Sequence, residues 1–343
     1  AAPILEPGFQ VMSTFAFAVG VPTHNRSGDI IDCFFPAPLK EPSGDLAAAI
    51  GAHSTPGTHI MRPGDLTELA RHAAGLGIDT MLEADRPLVV VRLTEDADIT
   101  TTPEAFLKLH LISHRLALPN TLNLEGIFAN LATVAWTSRG AVDPADLTAL
   151  QLEARLRDEY FEVMSVDKFP KMTNYVIPSG VRIADSSRIR LGAFLGEGTT
   201  VMPSGAVNFN SGTIGPNMVE GRVSQGVILG EDSDLGGGAS TMGTLSGGGE
   251  IKVSLGRNCL VGANGGTGIP LGDRCSIEAG LYITAGTLVS VIDEYGDTVH
   301  TVKARELAGG SDMLFIRHSH TGEVQCRTNR NAIALNEQLH AHN

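Results

Sequence analysis

From Ile177 to Val219 an apolar residue or a threonine recurs at every sixth position: Ile177, Ile183, Ile189, Leu195, Val201, Val207, Thr213 and Val219. A period of six matches neither the turn of an α-helix nor the simple alternation of a strand. It is the repeat of a left-handed parallel β-helix, in which each short strand turns one residue into a narrow interior. Gly, Ser, Asn and Asp round the corners between strands. The register breaks after Val219, resumes at Leu229, Leu235 and Thr241, breaks again, and returns at Leu255, Val261 and Thr267, then at Leu271, Ile277, Ile283 and Val289. These positions predict about six triangular coils, stacked ~4.7–4.9 Å apart into a prism roughly 25–30 Å long.

Outside this stretch the patterning changes. Thr14 to Val21, Ile30 to Phe35 and Leu88 to Arg92 read as strands. Asp65 to Leu76, Pro103 to Leu116 and Asp143 to Leu156 carry apolar residues at helical spacing, the last started by Asp143-Pro144. Together they predict a small α/β or α+β domain. After Val289 the repeat fails; Asp293 to Asp297 has hairpin-turn character, and Asn329 to His340 reads as a short helix with Ala332, Leu335 and Leu339 on one face. The expected organisation is an extension over residues 1–11 ahead of Met12, an N-terminal α/β domain with a linker helix over 12–172, the β-helix over 173–290, and a C-terminal capping segment over 291–343. A cap is needed because the last coil otherwise presents unpaired backbone groups.

Composition sharpens this division: 25 of the 40 glycines lie between Ile177 and Val289. A formal charge of −13 leaves no basic stripe for a nucleic-acid partner. No apolar run approaches the roughly 18–20 residues of a membrane span, and Phe15 to Val21 is too short. The four cysteines, Cys33, Cys259, Cys275 and Cys326, stand far apart without metal-ligand spacing, which predicts free thiols in a reducing cytoplasm.

By fold-level analogy, rods of this kind mostly carry acyltransferases using coenzyme A or carrier-protein thioesters, commonly as trimers with active sites between adjacent rods. All eleven histidines lie outside Ile177 to Val289. A three-imidazole zinc site along the prism is therefore excluded, and a base carried by the rod must be a carboxylate. Glu220 stands out, because it directly follows the last regular position before the first break. An exposed acid paired with Arg222 would have the same spacing. The second break carries a Gly-rich run from Gly236 to Gly249 whose backbone N–H groups are suited to an oxyanion hole, although such runs also serve as plain corners.

The segments VRIADSSRIRLGAFLGEGTTVM, VNFNSGTIGPNMVEGRVSQGVILGEDSDLGGGASTMGTLSGGG and VGANGGTGIPLGDRCSIEAGLYITAGT closely resemble tetrahydrodipicolinate N-succinyltransferase, in its longer-chain branch with an N-terminal α/β domain. The likeness extends through LEARLRDEYFEVMSVDKFPKM upstream and VKARELAG and NEQLHAHN downstream, over roughly residues 12 to 343. It implies that Glu220 of MVEGR is catalytic and that Gly243 of MGTLSGGG supplies the oxyanion-hole amide. It also implies succinyl-CoA contacts from Arg222, Gly237, Ser240, Ala263, Glu278, Ala279 and Gly286, with Lys303 and the Arg317 to Ser319 segment reaching the cofactor. An Arg suits the free carboxylate of a succinyl group. Some members hold magnesium with acids on the trimer axis; the corresponding residues here are Ser187 and Ser204, so no metal is expected there.

The implied reaction transfers succinyl from succinyl-CoA to the amine of tetrahydrodipicolinate, as 2-amino-6-oxopimelate, in the diaminopimelate route to lysine. The expected assembly is a cytoplasmic homotrimer acting on small molecules, with no nucleic-acid or membrane partner. Glu220 serves either as general base or as a nucleophile forming a mixed anhydride. A related CoA-dependent N-acetyltransferase and a non-catalytic trimeric rod are the competing readings. Arg188 and Arg190 are conceivable partners for the acceptor carboxylates, with ordinary surface charge as the alternative.

Overall fold

The computed structural model describes residues 13–246 and 249–328. The expected extension over residues 1–11 and the C-terminal helix over Asn329 to His340 lie outside the described residues. The chain divides into two compact units. One takes the chain up to Leu111 together with Leu122–Pro170, and the other takes Ile112–Thr121 and everything from Lys171 onward.

In the first unit, the strands Ile30–Phe34, Ala16–His24, Leu88–Leu93 and Gly57–Met61 lie side by side in that order, and every pairing is antiparallel. Of the two arrangements expected, this is the α+β one. The inward side chains Phe17, Val19, Leu88 and Val90 bury against Ile50, Leu66, Leu69 and Ile78. Each such side chain contributes about 1.5–3 kcal/mol. The helix expected over Asp65 to Leu76 is split into a 3-10 turn, Pro63–Leu66, and a short helix, Thr67–His72. Gly44–His53 is a helix that the apolar spacing had not announced. A smaller sheet joins Gly140–Val142, Val134–Thr137 and Val163–Asp167. The helix Pro144–Leu156 begins as expected, with the Asp143 carboxylate accepting the Ala145 N–H at 2.9 Å. Among the described residues no helix is long and apolar enough to cross a membrane.

The second unit is a parallel β-helix of three ladders. The first stacks Arg182–Ile183, Thr199–Val201, Asn217–Val219, Ser233–Leu235, Leu260–Val261 and Ser276–Ile277. The second stacks Ala206–Val207, Arg222–Val223, Ser240–Thr241, Gly266–Thr267 and Tyr282–Ile283. The third stacks Ala193–Leu195, Ser211–Thr213, Ile228–Leu229 and Ser254–Leu255. The six-residue positions from Ile189 to Val289 point inward and are buried. Threonine is tolerated among them because its hydroxyl finds the wall: Thr241 Oγ1 donates to Arg222 O at 3.0 Å, and Thr267 Oγ1 to Ile269 O at 2.7 Å.

The repeat starts later than its periodicity suggested. Ile177 is 69% exposed, since the first ladder begins only at Arg182 and no strand lies over Ile177. The first break is a shortened corner in which Val223 takes the next inward slot, four residues after Val219. The second is an insertion between Thr241 and Ser254. A third shortened corner carries the chain from Thr267 to Leu271, which bridges to Leu255.

Past Val289, Leu288–Ile292 and Thr298–Lys303 form a hairpin closed by Asp293 and Asp297, as the turn residues predicted. Met313–Arg317 then adds a further parallel strand to the first ladder, placing Phe315 beyond Ile277 in the interior. Close coil stacking requires glycine at two positions of the rod. A Cβ at Gly196 would fall 2.2 Å from Ile214 O, and one at Gly212 would fall 1.8 Å from Phe194 O.

Candidate active site

Two of the three corners carry the residues singled out in the sequence. At the corner between the first and second ladders, the shortened step makes Glu220 and Gly221 the entire turn. The Glu220 carbonyl accepts the Ser204 hydroxyl at 2.9 Å from the coil on one side and the Gly238 N–H at 3.3 Å from the other. Its own N–H donates to Leu235 O at 2.8 Å. Backbone bonds thus hold the turn while the carboxylate, which is half-buried, has no hydrogen-bond or ion-pair partner among the described residues. Gly237 lies beside it: a Cβ there would sit 3.4 Å from Glu220 Oε2.

The same corner continues upward. Gly237 O accepts the Asn264 N–H at 2.9 Å, and Ala263 O accepts the Gly280 N–H at 2.8 Å. A side chain at Gly262 would strike the Ala279 backbone at 2.5 Å, which is how tightly the turns stack. Glu278 closes the column, its Oε2 taking the Arg317 N–H at 2.7 Å. Glu220, Gly237, Ala263, Glu278, Ala279 and the start of the Arg317 to Ser319 segment therefore form one column. Arg317 itself donates to Gly322 O at 3.1 Å, and Ser319 is exposed.

The outward row of the second ladder runs Ala206, Arg222, Ser240, Gly266, Tyr282. Arg222 does not pair with Glu220. It donates from Nε at 3.2 Å and from Nη2 at 2.7 Å to the Ser240 hydroxyl. Tyr282 leans over Gly266, where a Cβ would fall 2.2 Å from its ring. This pairing across one coil was not foreseen; a glycine and an aromatic one coil apart is its only signal.

Gly243 stands at the opposite corner, between the second and third ladders, so one chain does not bring it to Glu220. A Cβ on Gly243 would approach Gln225 O to 2.8 Å, so the glycine lets the inserted loop settle on the coil below. Gly286 and Lys303 belong to this second column. Ala304 N–H bonds Thr287 O at 2.8 Å, and Arg305 N–H bonds Ala285 O at 3.1 Å, which seats the Lys303 turn against Gly286.

Arg188 ion-pairs with Asp185 at 3.4 Å, and Arg190 donates to Asn208 Oδ1 at 3.0 Å. The Asp185 carboxyl is held below its ordinary range, first by the Ser187 hydroxyl, then by the Ser187 N–H and Arg188. Ser187 and Ser204 thus spend their hydroxyls on Asp185 and on the Glu220 carbonyl. Among the described residues no three His, Cys, Asp or Glu side chains converge as a metal set. A cavity of about 440 Å³ lies at the remaining corner, near Arg182, Thr200, Pro216 and Asp232, and none of the residues named for the site lines it. His110, buried in the first unit, accepts the Phe35 N–H on Nε2 at 3.3 Å and contacts Phe106 O through Nδ1 at 2.7 Å, a structural imidazole.

Two family profiles match this chain: "Tetrahydrodipicolinate N-succinyltransferase middle" over residues 131–171 and "Hexapeptide repeat of succinyl-transferase" over residues 252–285. The 2,3,4,5-tetrahydropyridine-2,6-dicarboxylate N-succinyltransferase of Pseudomonas putida is 55% identical over 339 residues, covering 96% of this chain and 98% of that protein. This chain belongs to that family. The enzyme of the same name from Vibrio cholerae is 49% identical, over 97% of this chain and all of that protein. A solved Campylobacter jejuni structure, described as a 2,3,4,5-tetrahydropyridine-2-carboxylate N-succinyltransferase, superposes with a TM-score of 0.85 at 30% identity, covering 95% of each chain.

Proposed function

We propose that this protein transfers the succinyl group of succinyl-CoA to the amine of tetrahydrodipicolinate, as 2-amino-6-oxopimelate, in diaminopimelate and lysine biosynthesis. The observation that carries this reading is the pair of corner columns flanking the second ladder, within a chain 49–55% identical to enzymes of that name. Residues 173–290 are the left-handed β-helix that performs the transfer, residues 12–172 the N-terminal domain, and 291–343 the cap.

Because Glu220 and Gly243 stand on opposite edges of one face, a complete site needs two chains. The protein acts as a cytoplasmic homotrimer, each groove uniting the Glu220 column of one subunit with the Gly243 column of its neighbour. Arg222, steadied by Ser240, receives the succinyl carboxylate. Gly237, Ala263, Glu278 and Ala279 on one wall, with Gly286, Lys303, Arg317 and Ser319, bind the coenzyme. With Ser187 and Ser204 where some relatives carry acids, no structural metal is expected there.

In the transfer, the acceptor ammonium must lose a proton before its lone pair can attack. The Glu220 carboxylate, without a partner among the described residues, accepts it. The amine adds to the thioester carbonyl, the oxyanion accepts a hydrogen bond from the Gly243 N–H, and the intermediate collapses with cleavage of its C–S bond, the nitrogen's second proton passing to the departing CoA sulfur to give the free thiol and the amide. A donor of this kind is worth about 3–4 kcal/mol in comparable sites.

The test is to mix the protein with tetrahydrodipicolinate and either succinyl-CoA or acetyl-CoA and follow thiol release. Acceptor-dependent release from succinyl-CoA, lost in Glu220→Ala, is the expected result. Release from acetyl-CoA alone would transfer the chain to a sister activity, and release from neither would overturn the reading.

A further inference from the structure

Among the described residues of the inserted loop that carries Gly243, Ser246 bonds the rod through both its backbone and its side chain. The loop leaves the second ladder at Thr241 and closes on itself through the Thr244 to Lys252 bridge, with Leu245 N–H on Ile251 O at 2.8 Å and Val253 N–H on Gly243 O at 3.2 Å. Such a small hairpin has little intrinsic rigidity. Ser246 supplies it. Its N–H donates to Gly268 O at 3.0 Å, and its hydroxyl accepts the Ala285 N–H at 2.6 Å.

Two neighbours show that this seat is built. Gly268 has no side chain where one would obstruct: a Cβ there would fall 2.8 Å from Ser246 Oγ, 3.0 Å from Ser246 Cβ and 2.8 Å from Met242 Sδ. Ala285 is held from its other side as well, its carbonyl accepting the Arg305 N–H at 3.1 Å. Ser246 therefore joins the loop of Gly243 to the turn of Ala285 and Gly286 and, through Ala285, to the Lys303–Arg305 segment.

We propose that Ser246 is a positioning residue for acyl transfer: its hydroxyl locks the Gly243 amide to the coenzyme-binding turn at Ala285–Gly286. The proposal rests on the succinyltransferase reading above and adds a residue that touches no reacting atom. A serine suits the role because the bond needs an acceptor on a short side chain with few rotamers to fix. A displaced donor loses stabilisation of the developing oxyanion, whereas it leaves ground-state affinity for the coenzyme largely intact.

The experiment compares wild type, Ser246→Ala and Gly268→Ala in steady-state succinyl transfer, with CoA binding by calorimetry and thermal unfolding on the same samples. Ser246→Ala is expected to lower kcat about 10- to 100-fold, as misplacement of a catalytic group does, with the CoA dissociation constant changed less than about twofold. Gly268→Ala, which displaces the hydroxyl without removing it, is expected to lower kcat in the same way. The double variant should be no slower than the slower single variant, because both changes break one contact. An unchanged kcat in Ser246→Ala, a loss of CoA affinity and thermal midpoint in parallel with kcat, or additive losses in the double variant would each overturn the proposal. If wild type itself transfers no succinyl group, the succinyltransferase reading has failed instead, and the proposal falls with it.

Discussion

Arg222 donates two hydrogen bonds to the hydroxyl of Ser240, its register partner on the next coil, at 3.2 and 2.7 Å. Both bonds come from the Nε and Nη2 edge, so the guanidinium is oriented by its neighbour, and under the proposed function Nη1 faces the succinyl carboxylate. Ser240→Ala is expected to raise KM for succinyl-CoA about 3- to 10-fold, and Arg222→Lys, which loses the fork geometry, to raise it more. Neither should alter KM for acetyl-CoA, which lacks the carboxylate. Initial rates with the two thioesters check this.

Glu220 combines a backbone-pinned turn with a carboxylate that has no partner among the described residues. Glu220→Gln is expected to lower kcat by about 10²–10⁴, the usual contribution of general acid–base catalysis. The thermal midpoint should barely move, because no side-chain hydrogen bond is lost. Parallel activity and unfolding measurements would expose a structural role if both fell together.

Coil stacking predicts sites where even a methyl group is destructive. Gly212→Ala would force a Cβ to within 1.8 Å of Phe194 O, inside the third ladder. A loss of more than about 3 kcal/mol is expected, since the backbone of two coils must part. Gly286→Ala, with nothing within 4 Å, serves as the control. Urea midpoints of both variants measure the difference.

Arg274 grips Asp312 with two bonds, Nε to Oδ1 at 2.6 Å and Nη2 to Oδ2 at 2.8 Å. The pair holds the Asp312 carboxyl below its ordinary value, chiefly through the Arg274 hydrogen bond. A carboxyl with a depressed folded-state pKa stabilises the fold above its unfolded pKa, near ~3.9, and loses that contribution as pH falls through the folded value. Asp312→Asn should therefore lower the thermal midpoint modestly at neutral pH, with wild type and variant converging in acid. Asn keeps the left-handed backbone at φ 59° accessible, so the comparison removes the charge and one of the two hydrogen bonds without adding backbone strain.

All four cysteines are buried and free. Burial, with Cys275 nearby, pushes the Cys326 thiol up to about 11, and burial beside Asp32 pushes Cys33 up. Cys259 is raised by the adjacent Cys275 sulfur and by burial. Cys275 is shifted the other way, held low chiefly by its contact with Cys259, so burial alone protects it; a thiol-specific reagent at pH 8 should still label the native protein slowly and reach all four groups only on unfolding. Rapid stoichiometric labelling of the native protein would contradict this.

The chain announced its rod without help, because inward and outward slots alternate locally and a six-residue period survives in composition. Glu220 was marked by its place at a break of that period, whereas Arg222 entered only as its possible partner and through the family resemblance. Helical spacing likewise marked Pro144–Leu156 through its cap. The Gly44–His53 helix was not legible, since a run of alanines carries no apolar stripe, and Ile177 kept the period without a coil to bury it.

Only the tertiary structure decided which corner each residue occupies. A corner's neighbours lie one coil away, and coil length changes wherever a turn shortens or a loop is inserted. Val223 became an interior residue and Gly243 moved to the edge opposite Glu220 through such changes. The contact of Ser246 with Ala285 spans 39 positions, and that of Gly266 with Tyr282 depends on a shortened turn between them. Periodicity records which way a side chain points along its own strand; the stacking of coils sets what it meets, and that is a sum over every turn the chain has made.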